Sequence, residues 1–475
     1  MTPVAESQTS KRLSRRQYIK YAGAGIVAVA VAGLGYYGTR PPPTQTETSS
    51  LKLLPPTADF EYEPSYINPT SADIICFLNK SRNPDGTDTD LAYSWYVDDH
   101  LASNTKDHFA QLSSGEIATP HEVRLSACRA GLCNDVEKLV RIDPTSIPEY
   151  PERMLHIPIK GIVVDAGTKV DDFYDSKRNI TDSELEAELV DITNKELGCN
   201  GLRIYGSYDF EVLRYAEIAA RGNFDAILLC PRYVSQDTDE VVRRTVDFAA
   251  RAEALRSTSK SVVLQIGQEL STDVSGIFEG RTWLDRVFEV GDKWHKHGWQ
   301  QKLNQLLNDL AVGVSVVFHG PTSYSAGPWE LDIPWNQLDV DIIGCNQYWY
   351  EGCTEQDYLD RLRKASRYGK PVYNTEFGSC TYKGSWEYGG AGFAYVEGKE
   401  YSQEAQAEYV RRYLDLNERA QMDGLFLFTL SQNQPGSLDK NSMGILKLDV
   451  PDYSYPPHYS RKKAFYAYKS YQTAT

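Results

Sequence analysis

The chain has 475 residues, more than one ordinary domain needs, and its 41% hydrophobic content is enough for a buried core. Lys plus Arg number 50 against 65 Asp plus Glu, and a net charge of −15 argues against a nucleic-acid partner, whose phosphates need a basic face. Tyrosine is abundant, with 32 residues, many in predicted loops where flat rings either pack or meet the apolar faces of a ligand.

Residues 1–50 read as a targeting segment and stand apart from the fold. The basic stretch KRLSRRQYIK is followed by a Gly/Ala-rich apolar run from Tyr21 to Gly38 and by the polar linker TRPPPTQTETSS. Ser14, Arg15, Arg16, Tyr18, Ile19 and Lys20 resemble the twin-arginine export signal. That resemblance implies a passage through the twin-arginine translocon and an extracytoplasmic location. The apolar run approaches the ~20 residues that span a bilayer, whereas AVA at Ala30 to Ala32 offers a cleavage site. Membrane anchoring and release both stay open.

Residues 51–146 have an all-β pattern, with the alternating runs ADIICFL, LAYSWYV, HEVRLSA and VEKLVRI separated by turn clusters such as NPDGTDTD. A small two-sheet sandwich is expected. The succession ADFEYEP, NPDGTDTDLAYSWYVDD, SSGEIATPHEVRLSA resembles the PKD/immunoglobulin-like module, which implies a spacer or adhesive role. Asp85, Asp88 and Asp90 form either a calcium-binding turn or a solvated one. Asn79 and Asn179 lie in glycosylation-type triplets. Eight cysteines in an exported chain can form disulfides. Cys128 and Cys133, in SACRAGLCND, would face each other across a hairpin, with Cys76 and Cys128 as a rival pair. Cys353 and Cys380 follow neighbouring strands and would link two loops; Cys199, Cys230 and Cys345 read as buried free thiols. No zinc spacing is present, and neither a metal nor a cofactor is expected.

Residues 147–475 open with the Pro-rich linker DPTSIPEYPERMLHIP, part of which precedes the boundary, and then alternate between strand and helix patterns. Eight strands are predicted: IKGIVVD, CNGLRIYG, FDAILLC, SVVLQIGQE, VGVSVVFHG, VDIIGCNQY, KPVYNTE and DGLFLFTLS. Between them lie segments with apolar residues at i, i+3 and i+4 spacing, among them TDSELEAELVDITNKELG, DEVVRRTVDFAARAEALR and the long WLDRVFEVGDKWHKHGWQQKLNQLLNDL. Thr181 with Glu184 predicts a capping box. After the fifth predicted strand, GPTSYSAGPWELDIPWNQLD reads as a long loop. The fold class is therefore α/β, a (β/α)8 TIM barrel preceded by a small all-β immunoglobulin-like sandwich.

Glu269 closes the fourth predicted strand and Glu376 the seventh, and a parallel barrel delivers both strand ends to one face. Two carboxylates there suit glycoside hydrolysis, in which one protonates the leaving oxygen and the other attacks the anomeric carbon. The arrangement resembles glycoside hydrolase clan A, which implies that Glu269 is the acid/base and Glu376 the nucleophile. By the same resemblance Arg203, in NGLRIYG, would hold Glu376 ionised, and Tyr348, in DIIGCNQYWY, would donate to it. Gln268, Asn346, Trp349, Trp329, Tyr382 and His319 are the further candidates for substrate contact, His319 as the last residue of the fifth predicted strand. Two features depart from the clan: Gln268 stands where Asn usually precedes the acid/base, and LFLFTLSQ lacks the Trp that commonly floors the reactive subsite. The stretches NTEFGSCTYKGSWEYGGAGFA and NSMGILKLD resemble a bacterial and archaeal group whose members often carry the label abortive infection protein. The function expected is an exported retaining β-glycosidase, with or without transglycosylation, whose partner is a carbohydrate substrate. The alternative is a non-catalytic glycan-binding or adhesive surface protein.

Overall fold

Period-two alternation of apolar and polar residues builds two small antiparallel sheets in the first part of the chain. The coordinates are a computed structural model that describes residues 54–62, 73–112, 120–140, 148–172, 174–259, 261–287, 298–350, 352–396, 398–432, 439–448 and 459–473. The export signal expected in residues 1–50 lies outside the described residues. Among the described residues, no helix is long and apolar enough to cross a membrane.

One sheet joins Phe60–Tyr62, Asp73–Asn79 and His108–Leu112; the other runs His100–Ser103, Ala92–Val97, His121–Arg129, Leu132–Val140. Phe60, Phe77, Trp95, Val123, Leu125 and Val140 form their shared core. The Phe60 and Trp95 rings meet edge to face at 5.2 Å, and the Trp95 indole N–H donates to the Thr105 carbonyl at 3.1 Å. Cys128 pairs directly with Cys133 across the second hairpin, and the two form a disulfide. Gly131, with φ +81°, makes that tight turn possible. The rival Cys76–Cys128 pairing is thereby ruled out. In the preceding turn Asp85 accepts from the Thr87 backbone and hydroxyl, while Asp88 pairs with Lys106 at 2.7 Å.

The rest of the chain forms a closed barrel of eight parallel strands: β1 (Ile159–Asp165), β2 (Gly201–Gly206), β3 (Ala226–Pro231), β4 (Val262–Gln268), β5 (Thr322–Ala326), β6 (Ile342–Asn346), β7 (Val372–Phe377) and β8 (Gly424–Leu427). β8 closes on β1 through Gly424 opposite Ile159 and Leu427 opposite Ile162. Outside the strands pack α1 (Asp182–Glu186, continued as a π-helix over Ala187–Glu196), α2 (Asp209–Ala219), α3 (Thr238–Arg256), α4 (Trp299–Ser315), α5 (Glu355–Ser366), α6 (Gln403–Arg419) and α7 (Lys463–Lys469). The expected capping box of Thr181 and Glu184 starts α1. Each helix turns an apolar stripe inward, as with Leu303, Leu306, Leu307, Leu310 and Val314 of α4. The linker ends in Arg153–Leu155, which pairs in parallel with Tyr471–Thr473 and ties the barrel entrance to the C-terminal segment.

The fifth strand differs from expectation. VGVSVVFHG is not a strand: α4 runs through Ser315, with Val314 buried and Val312 and Val316 exposed at 67% and 72%. Exposed valines four apart and a buried one between them are the signature of a helix face, so helical continuity overrides the β-propensity of a valine-rich run. The strand is instead TSYSA, drawn from what had read as loop. Ser323 and Ser325 are buried and Ser325 hydrogen-bonds across the barrel interior, so this strand contributes small polar side chains where aliphatics were sought. Cys353 and Cys380 are buried free thiols and do not link the two loops, contrary to expectation. Cys199, Cys230 and Cys345 are also free and buried.

Candidate active site

The ladder is regular along most of the barrel and breaks at the strand ends that carry the candidate residues. Register shifts fall between Gln265 and Gln268 on β4, between Cys345 and Asn346 on β6, and between Asn374 and Phe377 on β7. Such bulges re-aim side chains at a barrel rim. Glu269 itself adopts φ +40°, a left-handed conformation that costs a non-glycine residue energy and persists only where its surroundings hold it. Its backbone N–H donates to the Ser325 carbonyl at 2.9 Å, and its carbonyl receives the first bonds of a short helical turn at Leu270–Asp273.

Glu376 is fully buried, and its carboxylate takes two bonds from side chains. Arg203 Nη1 donates to Oε1 at 2.7 Å, and the Tyr348 hydroxyl donates to Oε2 at 3.2 Å. The same guanidinium donates from Nε to Gln265 at 2.6 Å and from Nη2 to the Gln268 side-chain oxygen. From Gln265 a directed chain of donors crosses the barrel: Gln265 to Ser325 (2.6 Å), Ser325 to Thr375 (3.0 Å), Thr375 to the Asn346 side-chain oxygen (2.8 Å). Asn346 then donates to Glu269 Oε1 at 3.1 Å. Asn346 is also the ladder partner of Glu376, so one residue touches the surroundings of both glutamates.

The two carboxyls differ in their partners. Burial raises the Glu376 pKa above its ordinary value and the Arg203 guanidinium opposes that rise. Glu269 is pushed well above the ordinary carboxylate range, first by burial and then by the charge of Glu376, against the hydrogen bond from the Asn346 amide. When the pair holds one proton, Glu269 is the group that keeps it. Such divergence separates an acid from an anionic nucleophile. Tyr348 is driven far up by burial and the neighbouring carboxylates, so its phenol stays protonated and donates.

A second layer, not picked out in the sequence, fixes Glu269 from behind. Buried Glu330 accepts from the Ser271 backbone (3.0 Å) and hydroxyl, the Tyr324 hydroxyl (2.8 Å) and the Gly327 backbone (3.0 Å). Tyr324 in turn accepts from the Leu270 backbone at 3.0 Å. Burial raises Glu330 to about 7. Arg232, just past β3, makes a two-pronged pair with Asp273 (2.7 and 2.9 Å), whose Oδ1 also accepts from the Trp283 indole at 2.9 Å. The signal that was available is an acidic residue inside an apolar loop, as in GPWEL. Asp165 closes β1 and accepts from Gly167, Thr168 and Ser176.

The other expected contacts are distributed unevenly. Trp329 is buried and donates to Ser271 at 2.8 Å, which makes it part of the Glu330 layer. Trp349 is buried against Tyr358 and Trp386, under the Arg412 guanidinium. Tyr382 is buried, donates to the Gly392 carbonyl at 2.7 Å and shares a cluster with Tyr348 and Tyr205. Gln268 is buried, and its amide nitrogen has no partner among the described residues. His319 is a correction. It lies two-thirds exposed beyond α4, bonded through its backbone to Glu253 in the last turn of α3 (3.0 Å). That end of the helices meets the strand starts, so His319 is on the barrel face opposite the glutamates. Its misplacement follows directly from reading the end of α4 as a strand.

Fold and geometry together define a parallel (β/α)8 barrel with a buried, electrostatically unequal glutamate pair at the ends of β4 and β7. No protein-family profile matches the chain, and no curated protein does. Solved structures similar to it include glycoside hydrolases. A β-glucuronidase of Parabacteroides merdae is 12% identical over 88% of this chain and 53% of its own, with a TM-score of 0.44. A β-D-glucuronidase of Dictyoglomus thermophilum is 11% identical over 87% and 67%, with 0.39. A GH113 β-1,4-mannanase is 12% identical over 57% and 88%, with 0.40. The chain spans about half the length of the first of these.

Proposed function

We propose that the protein is an exported retaining β-glycosidase that acts on an extracellular or cell-surface glycan. The observation that carries this reading is the asymmetric pair: Glu376 bonded to a buried arginine and a tyrosine, Glu269 bonded among the described residues to an amide alone and raised well above the ordinary carboxylate range. In the first step the Glu376 carboxylate attacks the anomeric carbon while Glu269 gives its proton to the departing glycosidic oxygen. The carbon–oxygen bond breaks as a glycosyl ester forms. In the second, Glu269 takes a proton from water, which displaces Glu376 with net retention; a sugar hydroxyl in place of water gives transglycosylation. Arg203 holds the leaving carboxylate as it regains its charge.

The motif SRRQYIK supports export through the twin-arginine translocon, with the apolar run at 21–38 either retained as an anchor or removed. The sheets of residues 60–140 serve as a PKD-type spacer in this reading. Full burial of Glu376 favours a second reading, a barrel that holds glycan without cleaving it. The two are separated by turnover of activated aryl β-glycosides. Glu376→Gln abolishes turnover in the first reading, and Glu269→Gln loses far more on poor leaving groups than on activated ones. An unchanged rate in Glu376→Gln would sink the mechanism.

A further inference from the structure

The loops that follow β7 and β8 leave the barrel on the face that bears Glu269 and Glu376, because every strand of a parallel barrel ends there. An edge of the β-sandwich lies against these loops, and together they enclose a cleft of about 290 Å³. Tyr62 and Lys138 line it from the sandwich; Lys399, Tyr401 and Lys440 line it from the loops; Glu61 is the acidic residue in its wall. Lys138 Nζ donates to Asp59 at 2.9 Å and lies over the Phe60 ring at 4.7 Å. Lys440 is only 17% exposed and lies 3.9 Å from Glu61. Lys399 donates to the Tyr388 hydroxyl at 2.9 Å, a neutral partner that leaves its charge in place.

Asp59 and Glu61 lie beside Lys138 and Lys440, and the charge of Lys399, whose hydrogen bond goes to a neutral phenol, stands in excess over these two carboxylates. A bound anion would meet that excess charge. The net charge of the chain is −15, so attraction of an anion here is a property of the cleft against the field of the whole molecule. Two tyrosine rings in the same walls suit a ring-shaped ligand, since the faces of a sugar are apolar and its edges polar. The loop that forms one wall of the cleft is also packed into the barrel core beside the glutamates. Tyr401 pairs by a β-bridge with Tyr382, and Tyr382 packs in one cluster with Tyr348, the donor to Glu376.

We propose that this cleft is a distal subsite for an acidic sugar, carboxylated or sulfated, of a polysaccharide whose chain continues to the Glu269–Glu376 pair. The sandwich is then one wall of the substrate path. The proposal rests on the glycosidase reading for the role of the glutamates, and binding is measured apart from turnover so that the two can fail separately.

The test uses the full chain carrying Glu376→Gln and titrates it by calorimetry with a polyuronate oligosaccharide, a sulfated oligosaccharide and a neutral oligosaccharide of equal length. At least one acidic ligand is expected to bind about tenfold tighter than the neutral one, which corresponds to ~1.4 kcal/mol, and to weaken with salt. The better of the two acidic arms identifies carboxylate or sulfate as the group recognised. Adding Lys399→Ala with Lys440→Ala is expected to remove that preference, while Lys399→Arg with Lys440→Arg keeps it. Introduced into the otherwise unaltered protein, the alanine pair leaves turnover of small aryl glycosides unchanged. Equal binding of acidic and neutral ligands, or an acidic preference that survives the alanine pair, overturns the subsite. Lysine-dependent binding together with undiminished turnover in Glu376→Gln would leave the subsite standing and remove the mechanism.

Discussion

Replacing Arg203 by methionine removes a buried cation while nearly preserving side-chain length, and the consequences can be worked out from its partners. Arg203 and Glu376 are both 0% exposed, so the variant leaves a carboxylate in the barrel interior with only Tyr348 as a direct donor. Breaking a buried pair from one side costs about 3–5 kcal/mol at neutral pH. That cost has a pH dependence whose sign is fixed. The Glu376 pKa in the folded state already lies above its unfolded value because of burial, and Arg203 is the largest influence holding it down. Without Arg203 it rises further. The unfolded chain then releases this proton from about pH 4.3 upward while the folded chain retains it, and stability falls by ~1.4 kcal/mol per pH unit until the new folded pKa is reached. Denaturant unfolding of Arg203→Met and of the unaltered protein at pH 4.5, 6 and 8 measures this directly. The variant is expected to lie close to the unaltered protein at pH 4.5 and furthest below it at pH 8. Adding Glu376→Gln is expected to recover most of the loss at pH 8. A deficit equal at all three pH values, or a double variant no more stable than the single one, would refute the claim that Arg203 acts by pairing with an ionised Glu376.

Tyr348→Phe deletes one donor to the same carboxylate, and the loss of a hydrogen bond to a charged group, about 1.5–3 kcal/mol, predicts a fall of roughly tenfold or more in kcat with the folded state retained; stopped assays with an activated aryl glycoside report it. Glu330 titrates at about 7 in the folded protein, so the stability it contributes is complete below the unfolded pKa and is lost as pH rises toward 7. Glu330→Gln should therefore flatten the decline of Tm between pH 5 and 7, by an amount equivalent to about 3 kcal/mol at most; an unchanged slope would show that Glu330 is already ionised at pH 5. Cys128→Ser with Cys133→Ser opens a short closed loop and should cost the sandwich about 2 kcal/mol. Mass analysis of the native protein before and after reduction checks the bond, and a thiol count that includes both residues before reduction would contradict it.

The parts of the site that were legible in the sequence share a physical reason. Arg203 interrupts an otherwise apolar strand, and Glu376 ends one; a charge at such a position must find a buried partner, and they find each other. The Cys128–Cys133 hairpin is equally local, set by a four-residue spacing around Gly131. What was not legible depends on tertiary context. TSYSA carries no branched aliphatic residue, and Ser325 instead hydrogen-bonds across the barrel interior, while the valines at the end of α4 mimic a strand although Val312 and Val316 face solvent. His319 was misplaced through that single exchange. Glu330 and the Arg232–Asp273 pair were missed because they act from loops and short turns, where no periodicity announces which side chain turns inward.

The central claim is that Glu269 and Glu376 form a retaining pair with unequal roles, and the measurement closest to it is the configuration of the first product released. Proton NMR of an aryl β-glycoside during the first minutes of hydrolysis should show the β-anomer appearing ahead of mutarotation, with no product of either configuration from Glu376→Gln. An α-anomer as the first product, or β-product formed undiminished by Glu376→Gln, would contradict it.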